Sequence, residues 1–203
     1  MKSFFSLFSD SSKELKKVST ITVAGMLMAL SIVLRSLAIN ITVDLRITFS
    51  FLPLMAIALI YGPSVCILAT VGSDVIGYFL DGYKARDYNF GLLAVKIIIA
   101  IIYGIILYKK ATGKQIIIFG AIARIIAVII GNLILNSAVM YFCYYNPNFP
   151  FMSSSEWQAF WIWFSPRLIK NLGLLPIDIV LISVALPAIN QAYHLVFDKR
   201  KTA

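Results

Sequence analysis

The sequence predicts an all-α fold, an integral membrane bundle of six transmembrane helices with cytoplasmic N- and C-termini. Three observations carry that prediction. Sixty per cent (60%) of the 203 residues are apolar and 13% are charged, with a mean hydropathy of +0.88. A soluble chain of this size cannot cover so much apolar surface with polar groups, whereas lipid as the surrounding solvent removes the difficulty. The apolar residues fall into runs near the length needed to cross a bilayer core. The net charge of +9 collects at the ends of those runs, where it sets orientation and does not indicate nucleic acid.

The spans are read as 18–36, 47–61, 63–80, 91–108, 115–143 and 167–194. Tyr61-Gly62-Pro63 marks a tight turn between the second and third. The fifth is long enough to tilt or to project beyond the lipid. Residues 1–17 form a cytoplasmic or interfacial segment, 18–194 the transmembrane domain, and 195–203 a basic cytoplasmic tail. The first segment is too polar for a signal peptide. Its Phe4, Phe5, Leu7 and Phe8 with later lysines fit either a short interfacial helix or a frayed tail. Residues 144–166 are read as a loop rich in Pro, Asn, Ser and aromatics, with Trp157, Trp161 and Trp163 as an interfacial belt or a lid.

Orientation follows from the cations. Lys2, Lys13, Lys16 and Lys17, then Lys109, Lys110 and Lys114, then Lys199, Arg200 and Lys201 all fall on one side of a six-span chain, the cytoplasmic side. Arg35, Arg46, Lys84, Arg86 and Arg167 fall on the other. Asn40-Ile41-Thr42 matches a glycosylation sequon by chance.

Ionisable groups inside a span cost several kcal/mol unless paired or wet, so each needs a reason. The candidates are Arg35, Arg46, Asp74, Lys96, Arg124, Arg167, Lys170 and Asp178. In the outer half, Arg35, Arg46, Lys96, Arg167 and Lys170 face Asp74 alone, a surplus that an anionic ligand would offset, carboxylates above all. Arg167, Lys170, Asn171, Leu174 and Asp178 share one helical face, and Asn132 and Asn136 share a face with Arg124. Two polar stripes on neighbouring helices imply an interior cavity. Plainer roles stand beside these: Arg124 with Asp178 as a buried pair locking two spans, Asp74 paired with Lys96 or Arg167, and Arg35 and Arg46 snorkelling to headgroups. Gly25 and Ala29, with Ala24 adjacent, make a small-residue face for close helix approach, either to a partner or within the bundle.

Other chemistries lack their residues. Thr112-Gly113-Lys114 is a fragment of a phosphate loop without its first glycine or the following Ser or Thr. Cys66 and Cys143 are isolated in apolar stretches, and no set has metal spacing. His194, the only histidine, sits near the C-terminus as an interfacial residue, which excludes Ser-His-Asp chemistry and argues against an enzyme. No inverted repeat of broken helices is visible, which argues against a self-sufficient secondary transporter.

Four stretches in order resemble one family. They are Arg46-Ile47-Thr48-Phe49-Ser50-Phe51-Leu52-Pro53; Tyr61-Gly62-Pro63 with Ser73-Asp74-Val75-Ile76-Gly77-Tyr78; Asn132-Leu133-Ile134-Leu135-Asn136-Ser137; and Pro166-Arg167-Leu168-Ile169-Lys170-Asn171 with Pro176-Ile177. Over residues 18–190 the chain resembles the substrate-binding S components of energy-coupling-factor (ECF) vitamin transporters, specifically the folate type. The resemblance implies a bacterial cell-membrane protein that captures a vitamin with high affinity from outside. It then docks through Ala24, Gly25 and Ala29 on a transmembrane coupling subunit carrying two ATPases. It implies no cofactor, no metal and no nucleic-acid partner. On this reading Arg167 and Lys170, helped by Arg46 or Arg35, hold the ligand carboxylates. Asp74 and Lys96 belong to the same site, and Asn132, Asn136 and Asn171 hydrogen-bond the ring or tail amides. Tyr88, Phe90 and Trp161 stack on the ring. One departure stands out. Folate-type members usually have a Pro-Gly-Phe-Thr-like stretch leading into the fourth helix, where this chain has Tyr88-Asn89-Phe90-Gly91-Leu92-Leu93 and then Lys96. The alternatives are another vitamin, such as a queuosine precursor or cobalamin, and, from a different class, a solitary transporter.

Overall fold

In the computed structural model the described residues are 2–40, 46–80, 87–109, 113–147, 149–151 and 153–197, without the side chains of 2–5, 40 and 197. Lys84, Arg86, Lys110, Lys199, Arg200, Lys201, most of the Asn40-Ile41-Thr42 match and the side chains of Lys2, Phe4 and Phe5 lie outside them. The elements run α1 (Lys2–Glu14), α2 (Val18–Ser36), β1 (Ile39–Asn40), β2 (Arg46–Ile47), α3 (Phe51–Tyr61), α4 (Pro63–Leu80), α5 (Phe90–Leu107) and α6 (Gly113–Ile126). A π-helical segment (Ala127–Asn136) continues α6 into α7 (Ser137–Tyr144), and α8 (Ser154–Phe197) follows. The two short strands pair antiparallel, Ile39 with Ile47 and Asn40 with Arg46. The other elements among the described residues are helices.

Among the described residues, five helical stretches are long and apolar enough to cross a membrane: Val18–Ser36, Pro63–Leu80, Phe90–Leu107, Gly113–Tyr144 and Ser154–Val196. Their exposed faces are apolar, as at Met26, Leu30 and Val33 on α2 and Ile169, Ile177, Val180 and Val184 on α8, the pattern expected where lipid is the solvent.

The second apolar run departs from its expected span. Helix begins only at Phe51, because Ile47 lies in β2 and Thr48 Oγ1 turns to accept from Ser50 N at 3.2 Å. The resulting α3 has 11 residues, about 17 Å at 1.5 Å per residue, half of what a bilayer core requires. It is sheathed by α2, α4, α5 and α8, and Met55, Ala56, Ile57 and Ala58 are fully buried. A short, buried third helix leaves the space above its N-terminus to residues 46–50, and there the bundle opens.

The region read as a loop from 144 to 166 is also corrected. α8 already starts at Ser154 and runs 44 residues through Pro166, Pro176 and Pro187. Ser153 and Glu156 form the start signal: Ser153 N and Oγ both donate to Glu156 Oε2, at 2.7 and 2.8 Å. This is the glutamate half of a Ser-x-x-Glu capping box, the carboxylate reaching back to Ser153, and it puts Trp157, Trp161 and Trp163 on a helix.

One end of the bundle gathers α1, the α3–α4 turn, the end of α5 and the end of α8. Gly62 supplies the positive φ (85°) that reverses the chain after α3. Gly104 lets α4 start against α5, since a Cβ there would lie 2.4 Å from Pro63 Cα. Ser11 of α1, fully buried, donates to Tyr61 O at 2.6 Å and accepts from Ser64 N and Val65 N at 3.0 and 3.3 Å. Asp10 meets Lys109 Nζ at 2.7 Å, and Tyr193 packs edge-on against Tyr61. The N-terminal segment is therefore a helix docked on the bundle and not a frayed tail.

Candidate functional site

At the other end of α3 lies a cavity of about 220 Å³. Its wall draws on α2 (Ser31, Arg35), β2 and the run into α3 (Arg46 to Phe51), α4 (Thr70, Ser73, Asp74), α5 (Lys96, Ile99, Tyr103), α6 and the π segment (Arg124, Asn132), and α8 (Lys170, Asn171, Leu174, Asp178). Among the described lining residues, Arg35, Arg46, Lys96, Arg124 and Lys170 face Asp74 and Asp178, so cations outnumber acids.

The charges form two layers. In the first, Asp74 is buried and its Oδ1 accepts from both Arg35 Nη1, at 2.9 Å, and Lys96 Nζ. Tyr88 OH donates to Oδ2 at 3.2 Å. One carboxylate thus joins α2, α4, α5 and the residues leading into α5. Arg46 Nη2 donates to Arg35 O at 3.3 Å, and Lys170 Nζ donates to Arg46 O at 3.3 Å. Among the described residues Lys170 has no carboxylate partner, and that carbonyl is its one hydrogen-bond acceptor. Asn89 caps α5, its Oδ1 accepting from Gly91 N at 2.8 Å and Leu92 N at 3.3 Å, which sets where Lys96 enters the wall.

The second layer lies seven residues further along α5 and eight further along α8, about 10–12 Å deeper at helical rise. Arg124 Nε and Nη2 donate to Asp178 Oδ2 at 2.9 and 2.8 Å, and Nη1 donates to Tyr103 OH at 3.1 Å. The guanidinium carbon sits 3.6 Å from the Phe51 ring centroid, a close cation–π contact. The Arg124–Asp178 pair does link two helices, and it also forms the cavity floor.

Of the residues singled out in sequence, Arg35, Arg46, Asp74, Lys96, Asn132, Lys170 and Asn171 line the cavity, and Tyr88 reaches its edge through Asp74. Four do not line it. Arg167 is buried beside α7, with Nη2 3.1 Å from Met140 Sδ and its guanidinium 4.6 Å from the Trp163 ring centroid. The long side chain swings off the Lys170–Asn171 stripe to reach that aromatic partner. Asn136 leaves the stripe because residues 127–136 are wound as a π-helix. With one more residue per turn, positions four apart no longer stack. Phe90 is 76% exposed and Trp161 57% exposed, Trp161 packing against Phe160 and Phe164 on its own helix. Missed by sequence reasoning were Phe51 and Tyr103, apolar-run aromatics with no polar signal of their own. On α2, Ala24 is buried, Gly25 has open space where a Cβ would be, and Ala29 is exposed. Among the described residues no cluster of His, Cys, Asp and Glu suits a metal ion.

This arrangement can enclose a ligand that is anionic at one end. Residues 19–186 match the family described as the ECF transporter, substrate-specific component. A folate transporter, FolT, of Leuconostoc mesenteroides is 31% identical over 157 residues, covering 76% of this chain and 77% of that protein. The crystal structure of FolT bound with folic acid is similar at a TM-score of 0.65 and 26% identity, covering 83% of this chain and 91% of that one.

Proposed function

The chain belongs to the substrate-specific components of ECF transporters, and on that premise we propose that it binds folate and delivers it to a separate energising module. One observation carries the ligand class: a cavity whose described lining has more cations than acids and includes Lys170, which has no carboxylate partner among the described residues. A folate ends in a glutamate with two carboxylates. Lys170, Arg46, Arg35 and Lys96 hold that end, as charge-assisted hydrogen bonds require. Asn132 and Asn171 are placed for the amides between tail and ring. The similarity to a folate transporter and to a folic-acid-bound structure supports the choice among anionic vitamins.

The protein works as a multi-pass membrane subunit of a bacterial plasma membrane, with both termini cytoplasmic and residues 18–194 as its binding domain. The lysine-bearing end that holds α1 and Lys109 faces inward under the positive-inside rule. The cavity end then faces outward. Gly25 and Ala29 on α2 present the small-residue face to a transmembrane coupling subunit with two ATPases, while Ala24 packs inside the bundle.

Calorimetry of the detergent-purified protein with folic acid tests the ligand. Tight binding is expected for folic acid and none for cobalamin or a queuosine precursor. Uptake into liposomes tests the machine: transport should require the ATPase module, and uptake by the chain alone would overturn the assignment in favour of a solitary transporter.

A further inference from the structure

The Arg124–Asp178 pair is made in an unusual way for a lock between helices. A guanidinium and a carboxylate that serve only each other normally meet side by side, two nitrogens on two oxygens. Here both nitrogens fall on Asp178 Oδ2, at 2.9 and 2.8 Å, and Oδ1 accepts no hydrogen bond from any described residue. Asp178 is 3% exposed, and what it exposes is cavity. A carboxylate oxygen that faces the cavity with no protein donor is open to an incoming N–H, and a hydrogen bond to a charged group is stronger than a neutral one. The carboxylate cannot easily rotate to share both oxygens, because Arg124 is also fixed by Tyr103 OH at 3.1 Å and by the Phe51 ring at 3.6 Å. The Tyr103 oxygen accepts from Arg124, so its own hydrogen stays available, and no acceptor among the described residues takes it. Tyr103 lines the cavity too. The floor therefore offers one strong acceptor and one donor on either side of a fixed guanidinium.

We propose that Asp178 is a ligand-reading residue: its Oδ1 accepts an N–H from the ring end of the bound vitamin, with Tyr103 donating to a ring acceptor. The selected chemistry is a heterocycle whose edge carries an amino or amide N–H beside a carbonyl, as the 2-amino-4-oxo edge of a pterin does. The two layers then divide the work, cations for the carboxylate tail and Asp178 for the ring about 10–12 Å deeper. This rests on the folate reading above and adds a residue to it.

The test compares folic acid with an analogue whose 2-amino group is replaced by methyl, on the wild-type chain, on Asp178→Asn and on Tyr103→Phe, by calorimetry in detergent. Wild type should prefer folic acid by about tenfold or more, the scale of a hydrogen bond to a charged group. Asp178→Asn keeps an oxygen for Arg124 but turns an NH₂ toward the cavity. It should weaken folic acid about tenfold and bring the two ligands within about twofold of each other. Tyr103→Phe should weaken both ligands severalfold and keep the preference. Equal wild-type affinities, or an Asp178→Asn chain that still prefers folic acid, would overturn the role of Asp178. Should that variant not fold, the wild-type comparison and Tyr103→Phe decide, because unchanged folic acid affinity in Tyr103→Phe rejects the floor as a ligand contact. Failure of wild type to bind folic acid at all is a different result and removes the folate reading itself.

Discussion

Replacing Lys170 with methionine keeps the unbranched stem and removes the ammonium. Lys170 is half-buried on the cavity wall, and its hydrogen-bond acceptor is the Arg46 carbonyl, 3.3 Å away. In the empty protein the ammonium has lost water and gained little. In the complex it meets a carboxylate in a desolvated site. A hydrogen bond to a charged group contributes about 1.5–3 kcal/mol, so Lys170→Met should weaken folic acid by roughly 10- to 150-fold at about 1.4 kcal/mol per decade. Stability should move the other way. Removing a poorly solvated charge stabilises the ligand-free fold, and each ~1 kcal/mol raises Tm by about 2–4 °C in a chain of this size. Titration calorimetry and thermal unfolding of the empty protein measure the two effects. The bis-amide of folic acid, with both glutamate carboxylates converted to carboxamides, supplies the control, since it should bind wild type and Lys170→Met alike. Affinity for folic acid within threefold of wild type, or an equal loss for the bis-amide, would refute the tail assignment.

Arg167→Ala should behave as a packing mutation. Its guanidinium rests on Trp163 and Met140 away from the cavity, so Tm should fall by several degrees while folic acid affinity stays within about threefold; a tenfold loss of affinity at unchanged Tm would return Arg167 to the site. The α1 dock should be pH- and salt-sensitive. Lys109 holds the exposed Asp10 carboxyl below its ordinary range, and Asp10 holds Lys109 above its own. The ion pair's contribution is then full at neutral pH, falls as pH drops through the lowered Asp10 value, and falls at the alkaline end as pH rises through the raised Lys109 value. Limited proteolysis of residues 1–17 should quicken at pH 3 relative to pH 7, and modestly in high salt. Ser11→Val, which leaves Tyr61 O, Ser64 N and Val65 N without their partner, should quicken it at every pH. Finally, Gly25→Leu should leave folic acid binding intact, because a Cβ added there meets no atom within 4 Å, yet abolish ATP-driven uptake with the coupling module. Unimpaired uptake would move docking to another face.

Most of the helical frame was legible from composition, run length and turn residues. α2, α4 and α5 lie within a residue of their expected bounds, and Tyr61-Gly62-Pro63 is the turn it was read to be. The start of α8 was also available, in Ser153-x-x-Glu156, but the aromatics and Pro150 around it read more strongly as loop. The shortness of α3 was harder to see, because Ile47 to Tyr61 is apolar enough for one span and the break depends on Thr48 and Ser50 bonding locally.

The sequence by itself determined that this chain lives in lipid and that its intramembrane charges need partners, because the cost of burying apolar surface or bare charge depends on residue type and run length alone. It also carried the family likeness in four short stretches. Only the tertiary structure decided which charges meet. Asp74 has two cations from two helices, Arg167 turns away to an aromatic partner, and the π winding at 127–136 separates Asn132 from Asn136. Such choices depend on helix rotation and on side-chain reach of a few ångströms, which one-dimensional spacing does not encode. The same holds for the Asp178 oxygen left open at the cavity floor.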